Sequence, residues 1–89
     1  MPAPDPLTSP ATTPAPVAEI DARHLLCPLP VLRLRRALQS AAPGALVALE
    51  ATDPAAVLDV PHFCAEAGHE LLSSAPLPDG ARRYLVRRG

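Results

Sequence analysis

The stretch His24-Leu25-Leu26-Cys27-Pro28-Leu29-Pro30-Val31-Leu32 places a cysteine directly before two prolines and an apolar-periodic run. Proline is accepted in the first turn of a helix, where backbone N–H groups have no intrahelical partner. The sequence therefore predicts a helix with Cys27 as its N-cap and Pro28 at its first position. The N–H groups of Leu29 and Val31 would then lie nearest the sulfur, at the positive end of the helix dipole.

Cys27 is the first candidate for a reactive side chain. A thiol at a helix N-terminus loses its proton more easily, and the thiolate is the nucleophilic form. The pattern thus predicts a lowered pKa for Cys27. The alternative is a buried, inert cysteine, which is what most free cysteines are. The local pattern alone leaves both interpretations open.

The composition of the 89-residue chain indicates one small domain behind a tail. Six prolines fall in residues 1–16, between alanines, threonines and a serine. Such a segment cannot pack a core, so we expect a disordered Pro-rich tail over 1–16 and one domain over 17–89. The net charge of −1 gives no reason to expect a general polyanion-binding protein.

Several classes of protein are disfavoured by what the sequence lacks. No apolar run is long enough to cross a membrane. The first residues lack a basic start followed by an apolar block, so we do not expect a secretory signal. Two cysteines, Cys27 and Cys64, do not make a disulfide framework, and neither has metal-ligand spacing. We therefore expect a cytoplasmic protein with free thiols, no metal, no organic cofactor and no membrane partner.

Hydrophobic periodicity and turn residues predict four strands and two helices in the order β-α-β-α-β-β. The strands are expected at 17–21, 45–51, 69–75 and 82–88. The first helix is expected at 28–42, and the second in two pieces, at 55–59 and 61–67. Pro61 should break or kink the second helix, and Pro43-Gly44 should end the first one.

This order of elements predicts an α/β (α+β) two-layer sandwich, with a mixed four-stranded sheet and two helices on one face. The first two strands would be parallel, and the last two would form an antiparallel hairpin. Cys27 would lie at the carboxyl end of the first strand, where open α/β sheets concentrate ligand chemistry.

The chain resembles the TusA family of small sulfur-carrier proteins over nearly all of residues 17–89. The resemblance rests on motifs at family spacing: Asp21-Ala22-Arg23, Leu26-Cys27-Pro28-Leu29-Pro30, Pro43-Gly44, Thr52-Asp53-Pro54-Ala55, Asp59-Val60-Pro61-His62-Phe63-Cys64 and Arg83-Tyr84-Leu85-Val86-Arg87. CPxP alone is a weak signal, but the whole set is specific. The resemblance implies a βαβαββ fold and one essential cysteine, which matches Cys27.

The resemblance also implies the chemistry of a sulfurtransferase that acts as a carrier. Cys27 would take sulfane sulfur as a persulfide from a cysteine desulfurase or a rhodanese-like donor and pass it to an acceptor protein. Family members serve 2-thiouridine formation in tRNA, molybdenum cofactor synthesis or sulfur oxidation. No cofactor is implied.

His24 is where the chain departs from the family, which usually has glycine at this position. Glycine there permits a positive φ before the active loop, and histidine tolerates such a conformation less well. Either the loop differs, or His24 adds a proton donor or a cation beside the thiolate. The alternative is an ordinary exposed loop residue.

Each of the other candidate site residues has either a structural or a functional interpretation. Cys64 is expected to be a packed core thiol, with a resolving cysteine as the alternative. Asp53 is expected only to cap its helix. Three arginines, Arg33, Arg35 and Arg36, are either solubilising or dock acidic surfaces of a donor or acceptor protein.

Two rival functions stay open on the sequence alone. One is a non-catalytic regulatory or interaction module, and the other is a redox switch formed by Cys27 and Cys64. Nucleic acid is disfavoured as a direct ligand, because the charge is near neutral and Phe63 and Tyr84 are the only large aromatic residues. A relay protein with an accessible cysteine is expected to be a monomer.

Overall fold

The computed structural model describes residues 15–89, so the predicted Pro-rich tail lies almost wholly outside the described residues. The elements follow the predicted order: β1 (Ala18–Ala22), α1 (Leu29–Gln39), β2 (Leu46–Ala51), α2 (Ala56–Ala67), β3 (Glu70–Pro76) and β4 (Arg82–Arg87). They form a two-layer α+β sandwich with both helices on one face of the sheet, as predicted.

The sheet is mixed, with the strand order β1-β2-β4-β3. β1 and β2 are parallel, with Ala18 opposite Val47 and Ala22 opposite Ala51. β4 pairs antiparallel with both β2 and β3. The carboxyl end of β1 therefore lies at the same edge as the carboxyl end of β2, and the loops to both helices leave from this edge.

The core lies between the sheet and the helices because every second strand residue faces them. Val47 and Leu49 on β2, with Tyr84 and Val86 on β4, are at most 1% exposed. The helices cover them with fully or almost fully buried residues, which are Leu34, Leu38, Val60 and Cys64. Side chains alternate along β4, and Tyr84 and Val86 face the helices.

The predicted bounds of α1 were wrong at both ends. Pro28, and not Cys27, is the N-cap, and the helix ends at Gln39 with Ser40 as its C-cap. The Ser40 N–H is shared between two carbonyl oxygens, those of Arg36 at 3.3 Å and Ala37 at 3.2 Å, which tightens the last turn before Pro43. Gly44 lies beyond the helix at φ 85°, and its N–H donates to the Arg88 carbonyl at 2.9 Å.

The predicted break of α2 at Pro61 was also wrong, because α2 is continuous from Ala56 to Ala67. Pro61 lies on the exposed side of the helix. Proline has no N–H to donate to the carbonyl four residues earlier, which is that of Val57. On the exposed side of the helix, water can reach this carbonyl instead. Gly68 ends α2 in the left-handed conformation, at φ 80°.

No helix of the described part of the chain is long and apolar enough to span a membrane.

Candidate functional site

Cys27 lies on the loop between β1 and α1, and its side chain is exposed. Its backbone N–H donates a hydrogen bond of 2.6 Å to Oδ2 of Asp53. The Cys27–Pro28 peptide bond is cis. Pro30, in the first turn of α1, is buried and anchors the start of the helix against the core. The cysteine is thus presented to solvent by a loop that is fixed on both sides.

Asp53 joins the cysteine loop to the start of α2. While Oδ2 accepts the Cys27 N–H, Oδ1 accepts the Ala55 N–H at 3.1 Å. The expectation that Asp53 only caps α2 was wrong. The N-cap of α2 is Ala55, and one of the two Asp53 oxygens holds the cysteine loop. A carboxylate is suited to this double role because both of its oxygens accept hydrogen bonds.

A small cleft lies between the start of α1 and the first turn of α2, beside the thiol. It is lined by Cys27, Pro28, Pro30, Val31, Asp53, Ala56 and Asp59. The cleft has no space large enough for a water molecule.

The pKa of the Cys27 thiol is raised above its ordinary value of 9.0, which contradicts the predicted lowering. The main cause is a hydrogen bond with the Asp59 carboxylate, followed by burial and then by the negative charges of Asp59 and Asp53. Negative charge beside a thiol disfavours the thiolate. The Leu29 N–H, expected near the sulfur, instead donates to the Leu26 carbonyl at 2.8 Å.

Asp59 is a site residue that the helix-terminus argument missed. The signal was present in the sequence, since Asp59 opens the motif Asp59-Val60-Pro61-His62-Phe63-Cys64. Local periodicity gives no means of telling that this carboxylate faces Cys27, because the contact depends on the packing of α1 against α2.

His24 adopts the glycine-like conformation that its position in the motif suggested, with φ at 66°. Its N–H donates to Oγ1 of Thr52 at 2.9 Å, which ties the β1–α1 loop to the end of β2. The residue is exposed and does not line the cleft at Cys27.

The three candidate docking arginines lie in two places. Arg33 and Arg36 line a groove of about 540 Å³ on α1, together with Leu29, Leu32, Ala37 and Ser40. Arg35 lines a separate groove of about 220 Å³ between the helices, with Phe63 and Arg88 among its neighbours. Within residues 15–89, none of the three forms an ion pair.

Leu29 and Leu32 do not belong to the buried face of α1. They are 46% and 47% exposed, and the neighbouring Leu26 is 69% exposed. The groove of Arg33 and Arg36 is therefore lined by both apolar and cationic side chains, and Leu29 in its lining is two residues from Cys27.

Cys64 is a core residue, as predicted, with 2% of its surface exposed. Burial raises the pKa of its thiol. Both cysteines are free. Over residues 15–89 no cluster of three or more His, Cys, Asp or Glu side chains could hold a metal ion.

The chain is similar to a described protein family, to a curated relative and, in its fold, to a solved structure. The profile of the family described as Sulfurtransferase TusA matches residues 18–88. A relative from Archaeoglobus fulgidus, named "Putative sulfur carrier protein", is 36% identical over 69 residues, which are 78% of this chain and 90% of the relative. The crystal structure of a SirA-like protein from Desulfitobacterium hafniense has the same fold, with a TM-score of 0.73 and 20% identity over 81% of this chain and 97% of that one.

Proposed function

The chain belongs to the TusA family of sulfurtransferases, and from this premise we propose that Cys27 carries sulfane sulfur as a persulfide between a donor protein and an acceptor protein. The observation that carries the proposal is the exposure of Cys27 at the head of α1, whereas Cys64 is buried. A relay thiol has to be reached by two different proteins, and only Cys27 meets this condition.

Loading is a transfer between two sulfur atoms that balances without a cofactor. The Cys27 thiolate attacks the outer sulfur of the donor persulfide, and a new S–S bond forms while the S–S bond of the donor breaks. The donor sulfur leaves as a thiolate, and Cys27 becomes Cys–S–SH. Unloading repeats the same step with an acceptor thiolate as the nucleophile, and Cys27 is then the leaving group.

The donor in this proposal is a cysteine desulfurase or a rhodanese-like protein, and the acceptor is a protein that passes sulfur to tRNA 2-thiouridine, to molybdenum cofactor or to sulfur oxidation. The groove beside Cys27 supports docking of such proteins, since exposed Leu29 and Leu32 lie next to Arg33 and Arg36. An acidic partner surface would be oriented by these arginines and by Arg35.

The neighbours of Cys27 have supporting roles in this proposal. Pro28 and Pro30 fix the start of α1. Leu29 lines the groove on α1, and Val31 lines the cleft at Cys27. His24 sets the course of the loop through its backbone and does not donate a proton.

The proposal is tested by loading the full chain with sulfur. Incubation with a cysteine desulfurase and cysteine is expected to add about 32 Da, one sulfur atom, in a form that dithiothreitol removes. Intact-mass spectrometry measures the gain. Cys27→Ser is expected to abolish it.

Cys64→Ser is the matched control, because it removes the other thiol and leaves the exposed one. This variant is expected to load as the wild type does. Sulfur gain that survives Cys27→Ser, or that disappears in a folded Cys64→Ser protein, would overturn the proposal.

A further inference from the structure

The charged residues that line the cleft at Cys27 are both acidic. Asp53 approaches from the loop after β2, and Asp59 approaches from the first turn of α2. α1 contributes only apolar residues to the cleft, and neither His24 nor the α1 arginines line it. Among the ion pairs of residues 15–89, none involves Asp53 or Asp59.

The two carboxylates have different roles at the thiol. Both oxygens of Asp53 accept backbone N–H groups, those of Cys27 and Ala55, so its charge is partly offset. Asp59 lines the cleft together with Cys27, so its carboxylate lies beside the thiol. Cys27 is exposed and Asp59 is half-buried, so solvent screens the interaction between them only in part.

We propose that Asp59 is a positioning residue for sulfur transfer: its carboxylate keeps Cys27 as a thiol in the free protein, and a donor releases the thiolate by placing a cationic group against this carboxylate. This role of Asp59 rests on the proposed function, because it describes the kind of partner group that would act at the same cysteine. The raised pKa of the free Cys27 thiol has the direction that this arrangement requires.

The proton balance of the loading step follows from this arrangement. The proton held between Cys27 and Asp59 leaves the thiol when the partner cation stabilises the carboxylate, and it ends on the sulfur that leaves the donor. The net reaction converts Cys27–SH and donor–S–SH into Cys27–S–SH and donor–SH, so atoms and charge balance.

The first test is the pH profile of Cys27 alkylation by iodoacetamide, a neutral reagent, read at Cys27 by peptide mapping. Asp59→Asn is expected to lower the pKa of the thiol by about 1, as removal of one adjacent like charge does. Because nucleophilicity falls as the pKa falls, the rate at pH 7 should then rise only about threefold, and the rate at the alkaline plateau should fall about threefold.

Two matched variants separate charge from structure. Asp59→Glu keeps the charge and should keep most of the wild-type profile. Glu66→Gln removes a carboxylate from an exposed position further along α2, where it pairs with His62, and should change nothing. If Asp59→Asn has the wild-type profile, or if Asp59→Glu changes it equally, the proposal is wrong.

The second test uses charged disulfides as stand-ins for the partner. Cystamine is cationic and dithiobis(nitrobenzoic acid) is anionic, and the ratio of their rates with Cys27 reports the local charge. Asp59→Asn is expected to lower the ratio of the cationic to the anionic rate severalfold, and Glu66→Gln should not. An unchanged ratio would overturn the cationic-partner part of the proposal.

Neither test involves sulfur loading. Failure of the Asp59 inference is therefore distinguishable from failure of the carrier function, which the loading of Cys27→Ser decides.

Discussion

His24 holds a backbone conformation that normally belongs to glycine, and the structure shows what this conformation achieves. At φ 66° the chain reverses at the end of β1, and the His24 N–H reaches Oγ1 of Thr52. A non-glycine residue in the left-handed region costs about 1–2 kcal/mol. Its imidazole is exposed and does not line the cleft at Cys27. His24 therefore contributes through the backbone geometry of the loop.

Substitution of His24 tests this account at the scale of one residue. His24→Gly should be as stable as the wild type or more stable by up to about 1 kcal/mol, since relief of strain is partly offset by the flexibility of unfolded glycine. His24→Val should lose about 1–2 kcal/mol, because a branched side chain is least tolerated at positive φ. Urea unfolding measures both.

The same variants separate loop geometry from chemistry at His24. Sulfur loading of His24→Gly should equal that of the wild type. If His24→Val is as stable as His24→Gly, backbone strain is not the controlling factor. If His24→Gly folds but loads slowly, the imidazole takes part in the chemistry.

At the scale of elements, α1 and α2 divide the site between them. α1 presents Cys27 and the groove of Arg33 and Arg36, while α2 supplies the Asp59 carboxylate. Their first turns meet at the carboxyl edge of β1 and β2. The charge of the surface therefore changes sign over a short distance, from carboxylates at the sulfur to arginines along α1.

The arginines of α1 are expected to speed the encounter with a donor. Replacing Arg33, Arg35 and Arg36 together by glutamine should slow desulfurase-dependent loading severalfold at low salt and flatten its dependence on ionic strength. The intrinsic reactivity of Cys27 with iodoacetamide should stay unchanged. Stopped reactions analysed by intact-mass spectrometry give the rates.

Arg87→Gln is the matched control for the three arginines. Arg87 lies on β4 and forms an ion pair with Glu70 at 3.1 Å, so it belongs to the sheet and not to the groove. Its loss should leave loading unaltered. If Arg87→Gln slows loading as much as the triple variant, overall charge and not the α1 surface controls the encounter.

Across the whole molecule, the open face of the sheet has a different electrostatic character from the helices. Arg83 and Arg23 both contact Glu50, at 2.6 and 2.8 Å, and these arginines hold the pKa of Glu50 below its usual value. Arg23 also reaches Asp79 beyond β3. The charges of this face are paired with one another, whereas within residues 15–89 the three arginines of α1 form no ion pair.

Much of this architecture was predictable because it depends on local pattern. Alternation along β4 and helical periodicity along α1 follow from neighbouring residues, and they place Cys27 correctly at the end of β1. The chemistry of the thiol was not predictable in this way. Asp53 lies 26 residues from Cys27 in the sequence, and its second hydrogen bond exists only when the two loops meet.

Two further features differ from average residue preferences because of where the residues lie in the folded chain. Proline is unfavourable in helices on average, but Pro61 lies on an exposed face where water compensates its carbonyl partner. Leucine is usually buried, but Leu29 and Leu32 remain exposed beside the sulfur. The apolar residues that packing leaves uncovered are the ones that a docking surface requires.

The central claim is that Cys27 both accepts sulfur and gives it up, and one measurement addresses both halves. The full chain is loaded with a desulfurase and cysteine, freed of both, and treated with cyanide, which converts sulfane sulfur to thiocyanate. Peptide mapping before treatment should place the added sulfur on Cys27 alone, and each loaded chain should release one thiocyanate and return to its original mass. Sulfur located on Cys64, or sulfur that Cys27 retains in the presence of cyanide, would contradict the account.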